Sequence, residues 1–495
     1  MRSKGAALGG GPGGKAPWPC FLLPAAVGWS AAEAAAAAIF SFASAFFVAR
    51  LVGPVALGIG AAVVSVHVLL WVGVTALFAD AIVQRAELED AAAAGVFWAS
   101  VLVGGLAGVA QLLAAWPLMW VFGDSRLPMM ALVLAVPLPL VGAAGVVQGR
   151  LTRKRGYRLL ACRALLGQGA GTAVGCLAVL GGAGVWAVVA QQAVTSTAGA
   201  LVLLAGAGWW PRPRWDPGAV RALLRMGGPL TVSTLVLHGR YRVFLLLLGG
   251  AAGARTLGEV HMAFRLIDAL RELVSTALWR LLLPALSEHR AEPAALRAAM
   301  ERALAASGLA LFPLCAAMAV AVGPASRLLL GAAWAPAAGA ALPLVGLAAW
   351  QFLGFPAGAA TVARGVPWVA LRANLASLGL LVAGVLVVRP AGPLGAVGLW
   401  SAAQLATAPY ALAASARVLG APVWHLVRAG VPALMVAAGG CVLALGLPAL
   451  AGGDPAPGWM LGSRLALAAA VVGPGIWALA RAARGPMVHP EGVVG

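Results

Sequence analysis

Runs of about 20 apolar residues, each closed by a short polar or Gly/Pro-rich break, recur along the chain. Each is long enough to cross a hydrocarbon core as an α-helix. They fall at 26–49, 55–79, 92–118, 128–148, 159–180, 184–206, 226–248, 256–284, 299–323, 338–360, 366–388, 394–416, 424–450 and 459–481. The pattern predicts an all-α integral membrane protein of about 14 transmembrane helices. An even count puts both termini on one side. Inside these runs, Pro137, Pro139, Pro313, Pro343 and Pro356 predict kinks or local breaks, because proline lacks the N–H that a helix interior uses. Gly167, Gly171 and Gly175 recur every fourth residue and predict a close helix–helix packing face. No strand precedes GQGAGTAVG, which argues against a dinucleotide-binding turn.

One stretch, Val236 to Arg290, departs from the apolar pattern. It opens with His238, Arg240, Tyr241 and Arg242, then places His261, Arg265, Asp268, Glu272 and Ser275 at steps of four, three, four and three. On a 3.6-residue period these steps return to one side, so an apolar helix carries a polar stripe. Charge at bilayer depth is costly and faces a bundle interior or a water-filled cavity. Two readings stay open: a self-neutralising network that packs two helices, or a path for substrate or coupling ion.

The chain also repeats itself. Arg155-Gly156 with Arg163 is echoed by Arg364-Gly365 with Arg372, Leu57-Gly58 by Leu257-Gly258, and Gly184-Val185-Trp186 by Gly398-Leu399-Trp400. Six predicted helices separate equivalents, so the two halves share one orientation about an axis along the membrane normal. The expected organisation is a flexible cytoplasmic tail (1–25), an N-lobe of six helices (26–206), a basic cytoplasmic linker (207–225), a C-lobe of six helices (226–416), two further helices (417–481) and a cytoplasmic tail (482–495).

Composition agrees with a membrane protein. The 495 residues are 62% hydrophobic and 10% charged, with mean hydropathy +0.94, where a soluble protein keeps roughly a quarter charged. The net charge of +19 does not imply nucleic acid. The basic residues cluster in alternate loops, as in RLTRKRGYR and PRPRWDPGAVRALLR, which marks those loops as cytoplasmic and facing anionic membrane lipids. The apolar run from Val27 to Val48 is too long for a signal-peptide core and reads as an uncleaved first helix. Cys20, Cys162, Cys176, Cys315 and Cys441 have neither metal-ligand nor disulfide-framework spacing. No metal or cofactor is expected. Most tryptophans, Trp71, Trp98, Trp116, Trp120, Trp209 and Trp210 among them, read as an interfacial belt, with Trp279 and Trp350 as candidate sugar platforms.

FVARLVGPVALGIGA, DAIVQR, QGRLTRKRGYRLL, GVWAVVAQQ, LGEVHMAFRL and LLLPALSEHRAEPAALRAAMERAL resemble, in the same order, segments of bacterial polysaccharide (oligosaccharide) flippases. The similarity runs from about residue 28 to 420. That family sits in a superfamily with multidrug/toxin exporters and peptidoglycan-precursor flippases. The resemblance implies two six-helix lobes around a central cavity lined by the first, second, seventh and eighth helices. It also implies alternating-access transfer of polyprenyl-diphosphate-linked oligosaccharide across the bacterial inner membrane. Where relatives often carry Asn and Asp, the seventh helix here has His238, Arg240, Tyr241 and Arg242, and Glu259 stands where many have an aromatic residue.

A diphosphate cannot cross hydrocarbon bare, and the planar fork of arginine grips phosphate oxygens. Arg240, Arg242 and Arg265, with His261 and Tyr241, are the candidate substrate-binding residues. Snorkelling to the headgroups is the competing role for Arg242. Asp268 and Glu272, one turn apart, resist simultaneous ionisation unless Arg265 or Arg271 neutralises them. With Glu33 they would form a charge network that couples transport to protons or Na+. Asp80 and Arg85 read as an interfacial salt bridge. The expected protein is a transporter and not an enzyme, monomeric, and associated at most with polysaccharide synthesis enzymes. The alternatives are a cation-coupled multidrug/toxin-type exporter and a membrane glycosyltransferase. Short outer loops argue against the glycosyltransferase, and QRAELEDA between the second and third spans lacks the basic motif of major facilitator transporters.

Overall fold

A computed structural model describes residues 40, 42, 44–84, 90–154, 156–213, 215–366, 368–450 and parts of 461–477. Among them every regular element is helical. The elements are α1 (Pro54–Gln84), α2 (Asp90–Phe122), α3 (Leu127–Ala135), α4 (Leu138–Arg153), α5 (Tyr157–Leu180) and α6 (Val185–Gly206) in the N-terminal half. The C-terminal half has α7 (Pro217–Ser287), α8 (Pro293–Leu329), α9 (Ala335–Ala363), α10 (Trp368–Val388) and α11 (Gly392–Leu419), and α12 (Val431–Leu450) follows. A helical segment at 44–52 precedes α1. Nine of the described helices are long and apolar enough to cross a membrane.

The difference from about 14 spans has identifiable sources. Most of 26–49 and part of 459–481 lie outside the described residues. The spans at 226–248 and 256–284 form one continuous element, divided where Gly253 takes φ 79°, ψ 173°, a backbone open chiefly to glycine. The helices at 394–416 (α11) and 424–450 (α12) are not among the nine. The span at 128–148 is, although it is broken between α3 and α4 at Pro137, as its prolines predict. Pro313, Pro343 and Pro356 instead stay inside unbroken helices.

Local chemistry sets the helix ends. At the start of α7, Asp216 Oδ1 accepts from the Ala219 N–H at 3.0 Å and Pro217 fills the first turn, satisfying one orphan donor and removing another. At the end of α11, Gly420 takes the left-handed conformation that closes a helix (φ 60°).

Lipid is as apolar as leucine, so close packing rather than water expulsion holds such helices together. α1 runs antiparallel to the first part of α7, with Gly227 against Leu77, Gly73 against Leu235 and Gly239 against Leu69. Beyond Gly253, Gly258 meets Pro54 and Gly58, and a Cβ on Gly58 would overlap the Ala254 carbonyl. The echoed Leu57-Gly58 and Leu257-Gly258 therefore touch each other. Equivalent residues meet in this way at an axis relating two halves. The face of Gly167, Gly171 and Gly175 packs on Gly199, Thr195 and Gln191 of α6. Separate apolar cores fill the halves, around Phe244, Phe264, Phe312 and Trp400 in one and Phe78, Phe97 and Leu203 in the other. Cys162, Cys176, Cys315 and Cys441 are free thiols.

Candidate functional site

Arg240 and Arg242 are two residues apart on α7, so their side chains leave the helix about 200° apart. The sequence pattern grouped them, and the fold separates them. Arg242 points into a chamber between the halves, together with His261 and Arg265 from beyond the Gly253 break and Ser44, Gln191 and Gln192 from the N-terminal half. The chamber encloses about 80 Å³. The Arg242 guanidinium sits 5.3 Å from the Tyr241 ring centre. No described carboxylate forms an ion pair with it, whereas Gln191 is occupied, donating to Ser44 Oγ at 2.9 Å. The snorkelling role for Arg242 does not fit this inward position.

Tyr241 braces the wall. Its hydroxyl lies 2.9 Å from His261 Nδ1, and its ring packs on Phe264 and Trp400 at 4.7 and 6.1 Å. The hydrogen bond ties the two parts of α7 together across the break. Arg240 turns into the C-terminal half, where Nη1 donates to Asn374 Oδ1 (3.0 Å) and Gln404 Oε1 (3.1 Å) and the guanidinium lies 5.1 Å over the Trp400 ring. His238 is exposed.

Further along the stripe, Arg271 grips Asp268 at 2.8 Å and reaches Gln351 at 3.4 Å. Asp268 is thus neutralised by Arg271, one of the two arginines expected to do so. The side chain of Glu272, that of Asp80, and all of Glu33 and Arg85 lie outside the described residues. Glu259 is buried and paired with Arg255 at 3.2 Å, a contact within one turn of α7 that does not reach the chamber. The Trp279 ring packs at a tilt against Phe355, centroids 5.3 Å apart.

Each half also holds its own cavity. In the N-terminal half about 280 Å³ is lined by Trp71, Gln148, Arg163, Gln168, Gln192 and Ser196. Gln192 belongs to the interhalf chamber as well. Arg163 donates to Gln148 at 2.9 Å, and buried His67 shares a 3.0 Å hydrogen bond with Ser196. In the C-terminal half about 210 Å³ is bounded by Trp350, Gln351, Asn374, Gln404 and Thr407, so the expected aromatic platform Trp350 belongs to this cavity.

One contact that the sequence reading missed joins the halves. Arg50 Nη1 donates to the carbonyls of Leu328 and Leu329 at 3.2 Å each, which are orphan acceptors at the negative end of α8. Beside it, Ala49 and Leu57 pack with Met262, Leu330 and Trp334. An arginine at the end of an apolar run looks like any flanking charge, so the sequence offered no signal for this role.

Residues 47–339 match the family described as "Polysaccharide biosynthesis protein". The succinoglycan biosynthesis transport protein ExoT of Rhizobium meliloti (strain 1021) is 22% identical over 324 residues, 65% of this chain. The match spans 65% of that relative's own length. Among solved structures, the lipid II flippase MurJ in an inward closed conformation superposes with TM-score 0.73 at 12% identity, covering 92% of this chain and 99% of its own. An inward-facing multidrug resistance MATE transporter of the MOP superfamily gives 0.56 at 18% identity, covering 80% and 95%. These likenesses establish the fold.

Proposed function

The chain belongs to the polysaccharide biosynthesis protein family, and from that premise we propose that this multi-pass membrane protein is a flippase. Its substrate would be a polyprenyl-diphosphate-linked oligosaccharide, moved across the bacterial inner membrane by alternating access. The carrying observation is the interhalf chamber, whose described charged side chains are the arginines Arg242 and Arg265. An organic-cation exporter needs the opposite sign there, which weighs against that alternative although the fold is shared with MATE transporters. The relatives agree: ExoT is a succinoglycan biosynthesis transport protein and MurJ a lipid II flippase.

In this reading the lobes at 26–206 and 226–416 move against each other. The chamber of about 80 Å³ is too small for a diphosphate with its sugars. The conformation is closed. To admit a diphosphate and its sugars the halves part, first breaking the Arg50 contact and the Gly58–Gly258 crossing. Arg242 and Arg265 then take the diphosphate oxygens, His261 and Tyr241 hold Arg242 in place, and the lipid tail stays in the bilayer. Arg240 acts from within the C-terminal half. Coupling to protons or Na+ is assigned to Asp268, Arg271, Glu272 and Glu33. The N-terminal and C-terminal tails lie in the cytoplasm, and the protein works as a monomer beside polysaccharide synthesis enzymes.

The test is leaflet accessibility of a labelled polyprenyl-diphosphate oligosaccharide in proteoliposomes. Wild-type protein should accelerate its transfer, and equal transfer with and without protein rejects the reading. Asp268→Asn with Glu272→Gln should abolish the response to a proton or Na+ gradient, and an unchanged response removes those residues from coupling.

A further inference from the structure

No step of the proposed transfer uses the cavity inside the N-terminal half, although at about 280 Å³ it is larger than the interhalf chamber of about 80 Å³. Four helices build it. α1 brings Trp71, α4 Gln148, α5 Gln168, and α6 Gln192, Thr195 and Ser196. The α6 residues recur at helical spacing, so one face of that helix is turned to the cavity. Arg163, on the same wall, is six residues into α5. The cavity therefore begins about 9 Å from the basic 150–158 turn.

The polar atoms facing this space are mostly neutral, and several are unspent. Gln192 donates through Nε2 to Ser196 Oγ at 3.3 Å and keeps its Oε1 for a ligand. The same hydroxyl lies 3.0 Å from His67 Nε2, which fixes it behind Gln192. Gln168 makes no hydrogen bond with a described residue, so its amide offers both a donor and an acceptor. Arg163 is tied to Gln148 at 2.9 Å and is not counted among the ligands. Polar groups at bilayer depth are costly until a polar partner arrives. A cation meets no described carboxylate on this lining, and an anion meets one arginine already engaged. Hydroxyl groups donate and accept at once and match such amides. Trp71 adds an aromatic wall of the kind that packs on the C–H face of a sugar ring.

We propose that this cavity is a sugar subsite: it takes one neutral pyranose ring of the lipid-linked oligosaccharide, held by Gln168 and Gln192 beside Trp71. The inference rests on the flippase reading above. About 280 Å³ is close to the lower end of small-molecule pockets, roughly 300–1,000 Å³, which gives room for a ring and not for a whole oligosaccharide. Gln192 also lines the interhalf chamber. A ring in the cavity is thus next to a diphosphate taken by Arg242 and Arg265. Charge is recognised between the halves and the sugar inside one of them.

The test measures equilibrium binding to the full chain in phosphatidylcholine nanodiscs. Two radiolabelled probes are compared: polyprenyl diphosphate carrying a neutral hexose oligosaccharide, and the same polyprenyl diphosphate without sugars. Wild-type protein should bind the sugar-bearing lipid at least about tenfold more tightly. Gln168→Leu should weaken that lipid about three- to tenfold and leave the sugar-free lipid unchanged. Leucine suits an apolar helix, so this variant keeps the fold. Ala164→Phe, which fills the same cavity, should act alike. Arg242→Gln with Arg265→Gln should weaken both lipids. If Gln168→Leu and Ala164→Phe bind both lipids as wild type does, the subsite is overturned while the flippase reading stands. Equal weakening of both lipids in Gln168→Leu, or equal wild-type affinity for the two, overturns the subsite as well. Wild-type protein that binds neither lipid rejects the flippase reading, and the subsite falls with it.

Discussion

The interiors of the two halves invite comparison because each sets an arginine over a tryptophan and ties it to a side-chain amide. In the N-terminal half Arg163 lies 6.0 Å from the Trp71 ring and donates to Gln148. In the C-terminal half Arg240 lies 5.1 Å from Trp400 and donates to Asn374 and Gln404. The surroundings differ. The first arginine, on α5, lines a cavity with Gln148 of α4 and the amides and hydroxyls of Gln192, Thr195 and Ser196 on α6. In the second half the charges nearest the axis crowd onto one helix, α7, and leave it in opposite directions. The chamber between is accordingly asymmetric, with cations from one side and amides from the other. A duplication can preserve a helical frame through glycine contacts while the polar partners diverge, because backbone packing and side-chain chemistry are separate constraints.

The largest expected effect tests that asymmetry. Arg242→Gln with Arg265→Gln should lower transfer of the labelled lipid-linked oligosaccharide by at least about 10- to 100-fold, since each loses a charge-assisted bond of about 1.5–3 kcal/mol and every 1.4 kcal/mol is tenfold. Arg163→Gln, a change of the same type in the other half, should cost no more than about threefold, because Arg163 lines the cavity of the N-terminal half and not the interhalf chamber. Equal losses in the two variants would break the comparison.

The shared frame was largely legible in the sequence, because a bilayer forces long apolar runs and glycine marks where helices touch. Pro137 announced the break between α3 and α4, and Gly167, Gly171 and Gly175 announced the face against α6. The site was legible only in part. His261, Arg265 and Arg242 came out together, but Arg240 was grouped with them although a helical step of 200° opposes it to Arg242. Its ligands, Asn374 and Gln404, lie 134 and 164 residues away, each a single amide in an apolar run, and one sequence does not bring such residues together. Asp268 of the stripe and Arg271 beside it could be paired from the sequence, because three-residue spacing on a helix is visible locally.

A second prediction sharpens the symmetric part. Gly58→Leu and Gly258→Leu, one in each half, should be about equally harmful, since each added side chain meets backbone of the other helix. Both should keep the halves apart, read as higher reactivity of a cysteine placed at Ser44 toward membrane-impermeant maleimide. Full protection of that cysteine in either variant would show that the crossing is not the closing contact.

Smaller still is the effect of Arg50→Ala. Releasing two carbonyls at the end of α8 costs about 1 kcal/mol, or about a fivefold shift toward the parted state. Arg50→Lys should recover part of this, because a lysine still complements the negative helix end. Distance distributions from spin labels on α1 and α9 would read the shift, and identical distributions in wild type and Arg50→Ala would remove Arg50 from the closure.

The smallest effect belongs to the matching turn of the N-terminal half. The turn after α8 is gripped by Arg50 from across the interface, while the turn after α2 grips itself. Asp124 accepts from the Arg126 backbone N–H at 3.0 Å and from its Nε and Nη2 at 2.9 and 2.7 Å. Those side-chain hydrogen bonds hold the Asp124 carboxyl below its ordinary value of 3.8. A carboxyl lowered in the folded state stabilises above its unfolded value, and the contribution disappears as pH falls through the folded value. Asp124→Asn should therefore lower stability slightly at pH 7, by under about 1 kcal/mol for a surface pair, and match wild type once the pH is well below 3.8. Because the pair closes only its own turn, spin-label distances between the halves should not change in Asp124→Asn. A change as large as that of Arg50→Ala would mean that both turns hold the interface, and that the difference between them is one of strength rather than kind.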